Sequence, residues 1–408
     1  MVLVVGGGAA GLIAGAVASE RGLSVTVLER NERMARKLMI TGKGRCNITN
    51  NCSIGEFISN VPENGRFLYS SLTAFTPQKL MGLLEEQGLS IKTERGNRVF
   101  PSSDRARDVV DTLVSYARKA GCRFKNGRAA ELILADSQCK GVKLESGERL
   151  SADSVIICTG GLSYPLTGST GDGYTFAKQA GHTIIPGRPS LVPLVSSDEW
   201  CRDVQGLSLR NCSLKVKDNQ AGKIIYKDFG EMLFTHFGVS GPMILSASAH
   251  MRKMQPGRYT ILIDLKPALT PEQLDARLLR DFEQNKNHDF ANSLGALLPR
   301  SLCPVAVSLS GIDPHIKCNS ITKEQRRRFG EMLKSLPVTI SGFRPVEEAI
   351  ITSGGVKVTE IDAKTMQSKI VKGLYFAGEI LDVDAYTGGF NLQIAFSTGA
   401  AAGSHVLE

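Results

Sequence analysis

Three glycines and one acid within the first thirty residues carry the most specific chemistry in the chain. Gly6, Gly8 and Gly11 stand in the G-x-G-x-x-G register, Ala9 and Ala10 lie between them, and Glu29 follows downstream. Such a turn brings backbone N–H groups up to a dinucleotide pyrophosphate. Gly6 permits the tight turn, Gly8 lacks the Cβ that would hold a phosphate away, and Gly11 lets a helix pack close to the preceding strand. The helix then turns its unpaired N–H groups and the positive end of its dipole on the phosphates. Glu29 can accept from ribose hydroxyls. An acid there disfavours a 2′-phosphate, so the ligand class is FAD or NAD rather than NADP.

A second glycine pair, Gly388-Gly389, precedes Phe390-Asn391-Leu392-Gln393 at the head of a segment rich in Ala, Gly and Ser. A helix N-terminus stabilises the negative charge that a reduced flavin gathers at N1 and its C2 carbonyl. The same residues also read as a close-packed terminal helix with no ligand. A second dinucleotide fingerprint is absent: residues 168–173 are glycine-rich in the wrong register and read as a turn and helix start. Any nicotinamide cofactor therefore visits without a nucleotide-binding domain of its own. The nine cysteines show neither C-x-x-C nor metal-ligand spacing. That pattern predicts free thiols in a reducing cytoplasm and no metal site.

The elements around these residues follow from the pattern. Residues 2–5 and 24–28 are short apolar runs with a small-residue helix between them, so strand, helix and strand frame the first glycine turn. Residues 40–51 are polar and glycine-rich and read as a loop. Thr76-Pro77 and Ser103-Asp104 look like helix starts, the second opening a helix over about 105–119. Residues 154–158 form an apolar strand closed by Thr159-Gly160-Gly161, and residues 373–377 another, closed by Gly378-Glu379. Between them, 186–264 reads as short alternating strands. Thr270-Pro271-Glu272-Gln273 and Thr322-Lys323-Glu324-Gln325 are capping boxes that open two helices.

At 408 residues, with 42% hydrophobic and 22% charged residues, the chain suits a globular protein of two or three domains. The first strand begins at residue 2, which predicts no leader segment, and no apolar run reaches the length of a membrane span. The formal net charge is +9. Arg30, Arg33, Arg36, Lys37, Lys43 and Arg45 cluster just after the first glycine unit, and a cofactor pyrophosphate accounts for them with fewer assumptions than nucleic acid.

With those motifs, the runs at 42–50, 159–173, 231–242 and 373–403 resemble the BaiN-type, aminoacetone-oxidase-like family of FAD-dependent oxidoreductases. The resemblance covers nearly the whole chain. It implies an α/β fold with a Rossmann-like FAD-binding domain formed by both chain ends, an inserted β-barrel domain and a small helical subdomain. The corresponding boundaries are 1–185, 186–269, 270–336 and a return over 337–408. FAD is the implied resident cofactor, with NADH or NADPH as transient donor. Carried onto this chain, Gly6, Gly8, Ala9, Ala10 and Gly11 cradle the pyrophosphate and Glu29 takes the ribose. Arg36, Lys37, Gly44, Arg45, Cys46 and Asn47 border the phosphates and ribityl chain. Ala129 meets adenine through its backbone, Thr159, Gly160 and Gly161 form the second flavin turn, and Gly378 and Glu379 stand at a strand end. Asn391, Leu392 and Gln393 approach the ring.

Family members resemble enzymes of two chemistries: NAD(P)H-dependent reduction of C=C bonds in 3-oxo bile-acid or steroid intermediates, and oxygen-dependent oxidation of aminoacetone. The first is the reading adopted for the sequence, with hydride passing from flavin N5 to the β-carbon of an enone. Tyr164, His236 and Tyr386 are the candidate proton donors, each sitting in a glycine-rich loop. The expected partner is an apolar small molecule, without nucleic acid or an obligate protein partner. A flavin-dependent tRNA-modifying enzyme is the alternative of another class, and it needs a broad basic surface.

Overall fold

A computed structural model describes residues 1–407. They form two compact units: Met1–Ser190 together with the chain from Pro345 onward, and Leu191–Arg344.

In the first unit β1 (Val2–Val5) leads through the glycine turn into helix α1 (Ala9–Glu20) and on to β2 (Val25–Glu29). Helix α2 (Ala106–Lys119) precedes β3 (Arg123–Asn126), and β4 (Ser154–Ile157), helix α3 (Asp172–Gln179) and β5 (Ile184–Ser190) follow. β1 and β4 are buried along their whole length, as unbroken apolar runs must be when both sheet faces are covered. α1 is apolar on every side and buried nearly all round. The start of α2 differs from the sequence reading. Its N-cap is Arg105, without a side-chain cap bond. Asp104 instead adopts φ +55° and pairs with Lys92 at 2.7 Å, so its carboxylate is turned away from the helix.

The second unit is a closed barrel. Its strands are β6 (Leu194–Ser196), β7 (Ser208–Asp218), β8 (Lys223–Thr235), β9 (Gly238–Ser240), β10 (Tyr259–Asp264) and β11 (Leu336–Phe343), in the order β6-β9-β8-β7-β10-β11. Every neighbouring pair is antiparallel, and β6 pairs with β11 to close the circle. Helices α4 (Pro271–Gln284) and α5 (Lys323–Lys334) lie between β10 and β11. Both begin at the capping boxes named above, with each Thr hydroxyl and each Gln side chain bonded reciprocally. Leu274, Leu278, Phe329 and Leu333 from these helices share one core with barrel residues Leu214, Val216 and Ile261.

The chain then returns to the first unit. β12 (Ile351–Val356) pairs antiparallel with β5, and β13 (Leu374–Phe376) joins β4 to complete a five-stranded parallel sheet in the order β13-β4-β1-β2-β3. Helix α6 (Phe390–His405) packs along α1. The approach is close enough that a Cβ on Gly399 stands 2.4 Å from the Ala10 carbonyl oxygen, and one on Gly403 stands 2.4 Å from that of Ala14. Residues 399 and 403 thus meet 10 and 14 in the same sense, so the two helices run parallel and their N-termini point the same way.

Candidate cofactor site

The turn from β1 into α1 is shaped by backbone that comes nearer than a side chain allows. Gly6 has φ +107°, and a Cβ there meets the Cys158 carbonyl oxygen at 2.4 Å; on Gly11 it meets the Gly6 oxygen at 1.9 Å. Gly8 is different. Its backbone is extended, at φ −85° and ψ −164°, and a Cβ finds nothing within 4 Å. Neither sterics nor dihedrals of the protein require glycine at this position. Gly8 is also the N-cap of α1, with no side-chain cap and no acid in the first turn, so the N–H groups of that turn are left for an external acceptor. The cradle fits a pyrophosphate.

Glu29 closes the back of the turn. Its buried carboxylate accepts from Gly7 N–H at 2.8 Å and from the Asn31 backbone and side-chain N–H groups at 2.8 and 2.7 Å. Asn126 Nδ2 and Gly127 N–H donate to the Glu29 carbonyl, which sets the segment leading to Ala129 beside it. Ala129 is buried and opens a strand paired with Leu144. On the same edge Asp172 binds Arg128 at 3.0 Å and Arg30 at 3.1 Å. Burial alone raises its carboxyl, but the bonds to Arg128 and Thr170 and the charge of Arg30 outweigh that and hold it below the usual range.

The second helix mouth is that of α6. Gly389, its N-cap at φ +97°, carries no side-chain cap. Phe390 lies nine residues before Gly399 while Ala9 lies one before Ala10, so this mouth stands about 12 Å beyond the mouth of α1 along a shared direction. That offset suits a ligand whose phosphates and ring are separated by a ribityl chain. The polar run of residues 42–50 holds the mouth in place. Thr41–Gly44 is a kinked turn in which Gly42 and Lys43 take left-handed φ of +57° and +58°, as a loop allows, and Thr49–Asn50 is a two-residue strand where the sequence reading has only loop. Asn47, in the amide orientation that satisfies both ends, accepts from Gly389 N–H and donates to Thr49 and Val99 carbonyls. Asn50 Nδ2 donates to the Gly388 carbonyl at 3.0 Å.

Several side chains expected to face the cofactor are spent inside the fold. Gln393 is fully buried; it accepts from Thr49 Oγ1 at 2.6 Å and donates to the Phe75 carbonyl and Ser397 Oγ. Asn391 exchanges bonds with the backbone of Ala385, at 2.8 and 2.7 Å, so it shapes the loop before α6; Leu392 beside it is half-buried. Arg45 pairs with Glu94 and Asp104 and lies 4.1 Å from the Phe100 ring centre. Arg36 donates to Asn31 Oδ1. Lys37 Nζ binds Glu379 at 2.5 Å and Ser163 Oγ at 2.7 Å. Three of the six cations in that cluster, Arg30, Lys37 and Arg45, are thus paired with protein carboxylates, and Arg36 is held by a neutral amide. Arg33 and Lys43 remain exposed without partners among the described residues, and Gly44 is open on its Cβ side. Cys46 is wholly buried, and burial pushes its thiol up to about 11, which removes it from thiolate chemistry at neutral pH. All nine cysteines are free and buried.

At the end of β4, Thr159 Oγ1 is buried with no partner in the protein. It lies in the turn where Gly160 takes φ +73° and a Cβ on Gly161 meets Thr352 Oγ1 at 2.7 Å. Thr352 was not legible as a site residue, yet its hydroxyl accepts from both Leu162 and Ser163 N–H, and its own N–H donates to Glu379 at 3.0 Å. Gly378, at φ +82°, donates to Thr398 Oγ1. Asp384 was missed as well. It is buried in the loop before α6 and receives Ser190 Oγ at 2.8 Å, and burial raises its carboxyl. The signal was there as Asp382 and Asp384 set inside an otherwise apolar run.

Of the three candidate proton donors, two lie in the first unit. Tyr164 adopts φ +53°, a left-handed conformation rare for a side chain of its size. Lys37 Nζ stands 5.9 Å from its ring centre, and burial together with Glu348 raises its hydroxyl. Tyr386 N–H donates to the Asn60 carbonyl in the loop that leads to α6. His236 belongs to the barrel unit, exposed in the β8–β9 turn and edge-on to Phe237 at 5.0 Å. Among the described residues no group of three or more His, Cys, Asp or Glu could hold a metal ion, and no helix is long and apolar enough to cross a membrane.

Comparison with known proteins agrees with this geometry. The family described as HI0933-like protein Rossmann domain matches residues 1–405. A ribosomal RNA dihydrouridine synthase of Haemophilus influenzae is 30% identical over 98% of this chain and 96% of its own length. A 3-dehydro-bile acid delta(4,6)-reductase of Clostridium scindens is 28% identical over 99% of this chain and 98% of its own. Among solved structures, a 3-ketosteroid-delta4-(5alpha)-dehydrogenase from Rhodococcus jostii shares the fold at a TM-score of 0.51, with 14% identity over 100% of this chain and 96% of that one. A Rossmann-type FAD fold, two helix mouths aimed one way and a family match along nearly the whole chain lead to one statement: this protein belongs to the HI0933-like family and is an FAD-dependent oxidoreductase.

Proposed function

We propose that the protein reduces a carbon–carbon double bond conjugated to a carbonyl, with NADH or NADPH as electron donor, and that its substrate is a uracil ring in ribosomal RNA. The observation that carries the redox class is the pair of parallel, uncapped helix mouths at Gly8 and Gly389. The relatives support the bond type. One name specifies a 3-oxo compound with double bonds at positions 4 and 6, and the other a uridine saturated in its ring; each acceptor is a C=C in conjugation with C=O. Bound FAD supplies the hydride that reaches the β-carbon of that system.

The protein's own groups orient the acceptor and handle the proton. Tyr164 keeps its proton at neutral pH, because burial and Glu348 disfavour its anion, and its hydroxyl has no partner among the described residues. It is the first choice to protonate the α-carbon, directly or through water, with Tyr386 second. His236 would serve only as an exposed group of the barrel unit. Half of the basic residues beside the glycine turn, Arg30, Lys37 and Arg45, are paired with protein carboxylates, so a cofactor pyrophosphate does not account for the whole positive excess and nucleic acid is not disfavoured on that ground. The bile-acid or steroid substrate of the sequence reading remains the second reading, favoured by the full-length likeness to the Clostridium enzyme.

The test is anaerobic. Protein bleached with NADH or NADPH is mixed with ribosomal RNA lacking dihydrouridine, with a 3-oxo-Δ4,6 bile acid, or with oxygen and aminoacetone. Return of the yellow colour with RNA, and mass-spectrometric gain of two hydrogens on one uridine, supports the proposal. Turnover of the bile acid alone refutes the RNA substrate, and reoxidation by oxygen alone with amine turnover refutes the reductase.

A further inference from the structure

The barrel unit holds 21 Lys and Arg against 15 Asp and Glu, and part of that surplus is gathered on one sheet face. Along β7 the inward Leu214 and Val216 alternate with the outward, exposed Lys215 and Lys217. Across the ladder Lys215 stands directly opposite Lys227, Lys217 opposite Ile224, and Ser213 opposite Phe229. Like charges placed directly opposite each other destabilise an antiparallel pair. No acid answers them: Lys215, Lys217 and Lys227 have no ion-pair or hydrogen-bond partner among the described residues. On the other side of β7, Asp264 of β10 stands opposite Ser213 and is already taken by Lys334 at 2.6 Å and by Lys266 N–H at 2.9 Å. Asp228, turned the other way, accepts from the Tyr226 hydroxyl at 2.7 Å.

Among these cations Phe229 is 59% exposed. It borders a cleft of about 560 Å³ whose wall includes Arg210 and Lys266. Burial and the neighbouring Arg277 lower the Lys266 ammonium, so an anion in the cleft relieves it. A protein partner is poorly matched, since interface cores are depleted in lysine. A polyanion that also presents flat rings matches both features, phosphates for the lysines and a base for Phe229. Same-face residues of one strand recur about every 6.7 Å, which lets Lys215 and Lys217 meet successive phosphates of an extended strand.

We infer that this face of β7 and β8 docks single-stranded RNA, one base stacking on Phe229 at the cleft and the backbone running over Lys215, Lys217 and Lys227. The inference deepens the RNA reading above and rests on it for the identity of the polyanion.

Fluorescence anisotropy of a labelled single-stranded oligouridine, titrated with FAD-loaded protein over a range of salt, tests it. Phe229→Ala should weaken binding roughly 5- to 150-fold, the span of one base–aromatic stack, and Phe229→Trp should restore it. Lys215→Ser with Lys227→Ser should reduce the slope of log K against log salt by about 1.4, because two phosphates are then no longer neutralised by the protein. Circular dichroism and flavin content should match the wild type in each variant. Wild-type affinity and slope in all of them overturns the docking face. So does binding to phosphatidylserine vesicles in place of RNA. If those variants bind like wild type while the enzyme still reduces uridine in ribosomal RNA, the face is wrong and the proposed function stands. If RNA binds through this face and no uridine is reduced, the function is wrong and the face stands.

Discussion

Replacing Gly8 with alanine separates what the fold requires from what the ligand requires. The backbone there is one that alanine adopts, and the added methyl meets no atom within 4 Å. Exchanging glycine for alanine at an N-cap costs about 1 kcal/mol, and the reduced freedom of the unfolded chain returns ~0.4–1 kcal/mol. The stability of the FAD-free protein should therefore change little, with a melting shift of no more than about 2 °C. Gly11→Ala is the contrast. Its methyl falls 1.9 Å from the Gly6 oxygen, and relieving such an overlap in packed backbone costs ~1–3 kcal/mol. Cofactor binding should show the reverse order of specificity. A methyl on Gly8 stands where a phosphate must approach α1, and losing one charge-assisted hydrogen bond costs ~1.5–3 kcal/mol, roughly 10- to 150-fold in Kd. Flavin absorbance per protein after dialysis, FAD titration by fluorescence quenching and melting of the stripped protein measure all three quantities. Wild-type FAD affinity in Gly8→Ala refutes the cradle, and a large fall in the melting temperature of stripped Gly8→Ala refutes the claim that the fold has no use for glycine there.

Other substitutions probe the surroundings. Lys37→Met leaves the Glu379 carboxylate without its cation in a half-buried site and should cost ~1–3 kcal/mol in urea unfolding, between the exposed and the buried limits; adding Glu379→Gln should recover part of it, and an unchanged midpoint in the single variant rejects the pair as a structural tie. Glu29→Ala removes the acceptor of three N–H bonds at the glycine turn and should lower both stability and FAD retention, whereas full yellow colour after long dialysis counts against its role. Asp384 has its carboxyl raised by burial, so the folded state holds that proton above the pH at which the unfolded chain releases it, and stability falls as pH rises through that window. Asp384→Asn should flatten the decline and leave stability below the unfolded carboxylate range unchanged; parallel pH curves for the two proteins refute the assignment. Gly399→Ala should destabilise by ~1–3 kcal/mol through its overlap with Ala10, seen as a lower melting temperature.

Local signals in the chain reported local structure well. The glycine turn, both capping boxes and the small-residue terminal helix were readable because cap chemistry and residue volume act within a few positions. Long-range consequences were not. Nothing near residue 37 announces that its ammonium meets Glu379, and nothing in residues 47–50 announces that they clamp the Gly388–Gly389 mouth. Cofactor contacts of Arg45 and Gln393 were implied by the family resemblance, and motif likeness carries no record of Glu94, Asp104 and Thr49 binding those side chains from distant parts of the chain. The resemblance implied the barrel, but the pairing of β6 with β11 that closes it was not legible in the residues, since it joins a three-residue strand to one far along the chain.

The tight seating of α6 on α1 has a consequence for biosynthesis. The groove over Ala10 and Ala14 is made early, but the glycine-bearing backbone that fills it, at Gly399 and Gly403, is translated after the entire barrel unit. A nascent chain must therefore leave that groove uncovered while the barrel is still being made, and prosthetic-group loading becomes an event at the end of synthesis. Truncation anywhere before Gly399 leaves an apolar trench for chaperones or proteases to find.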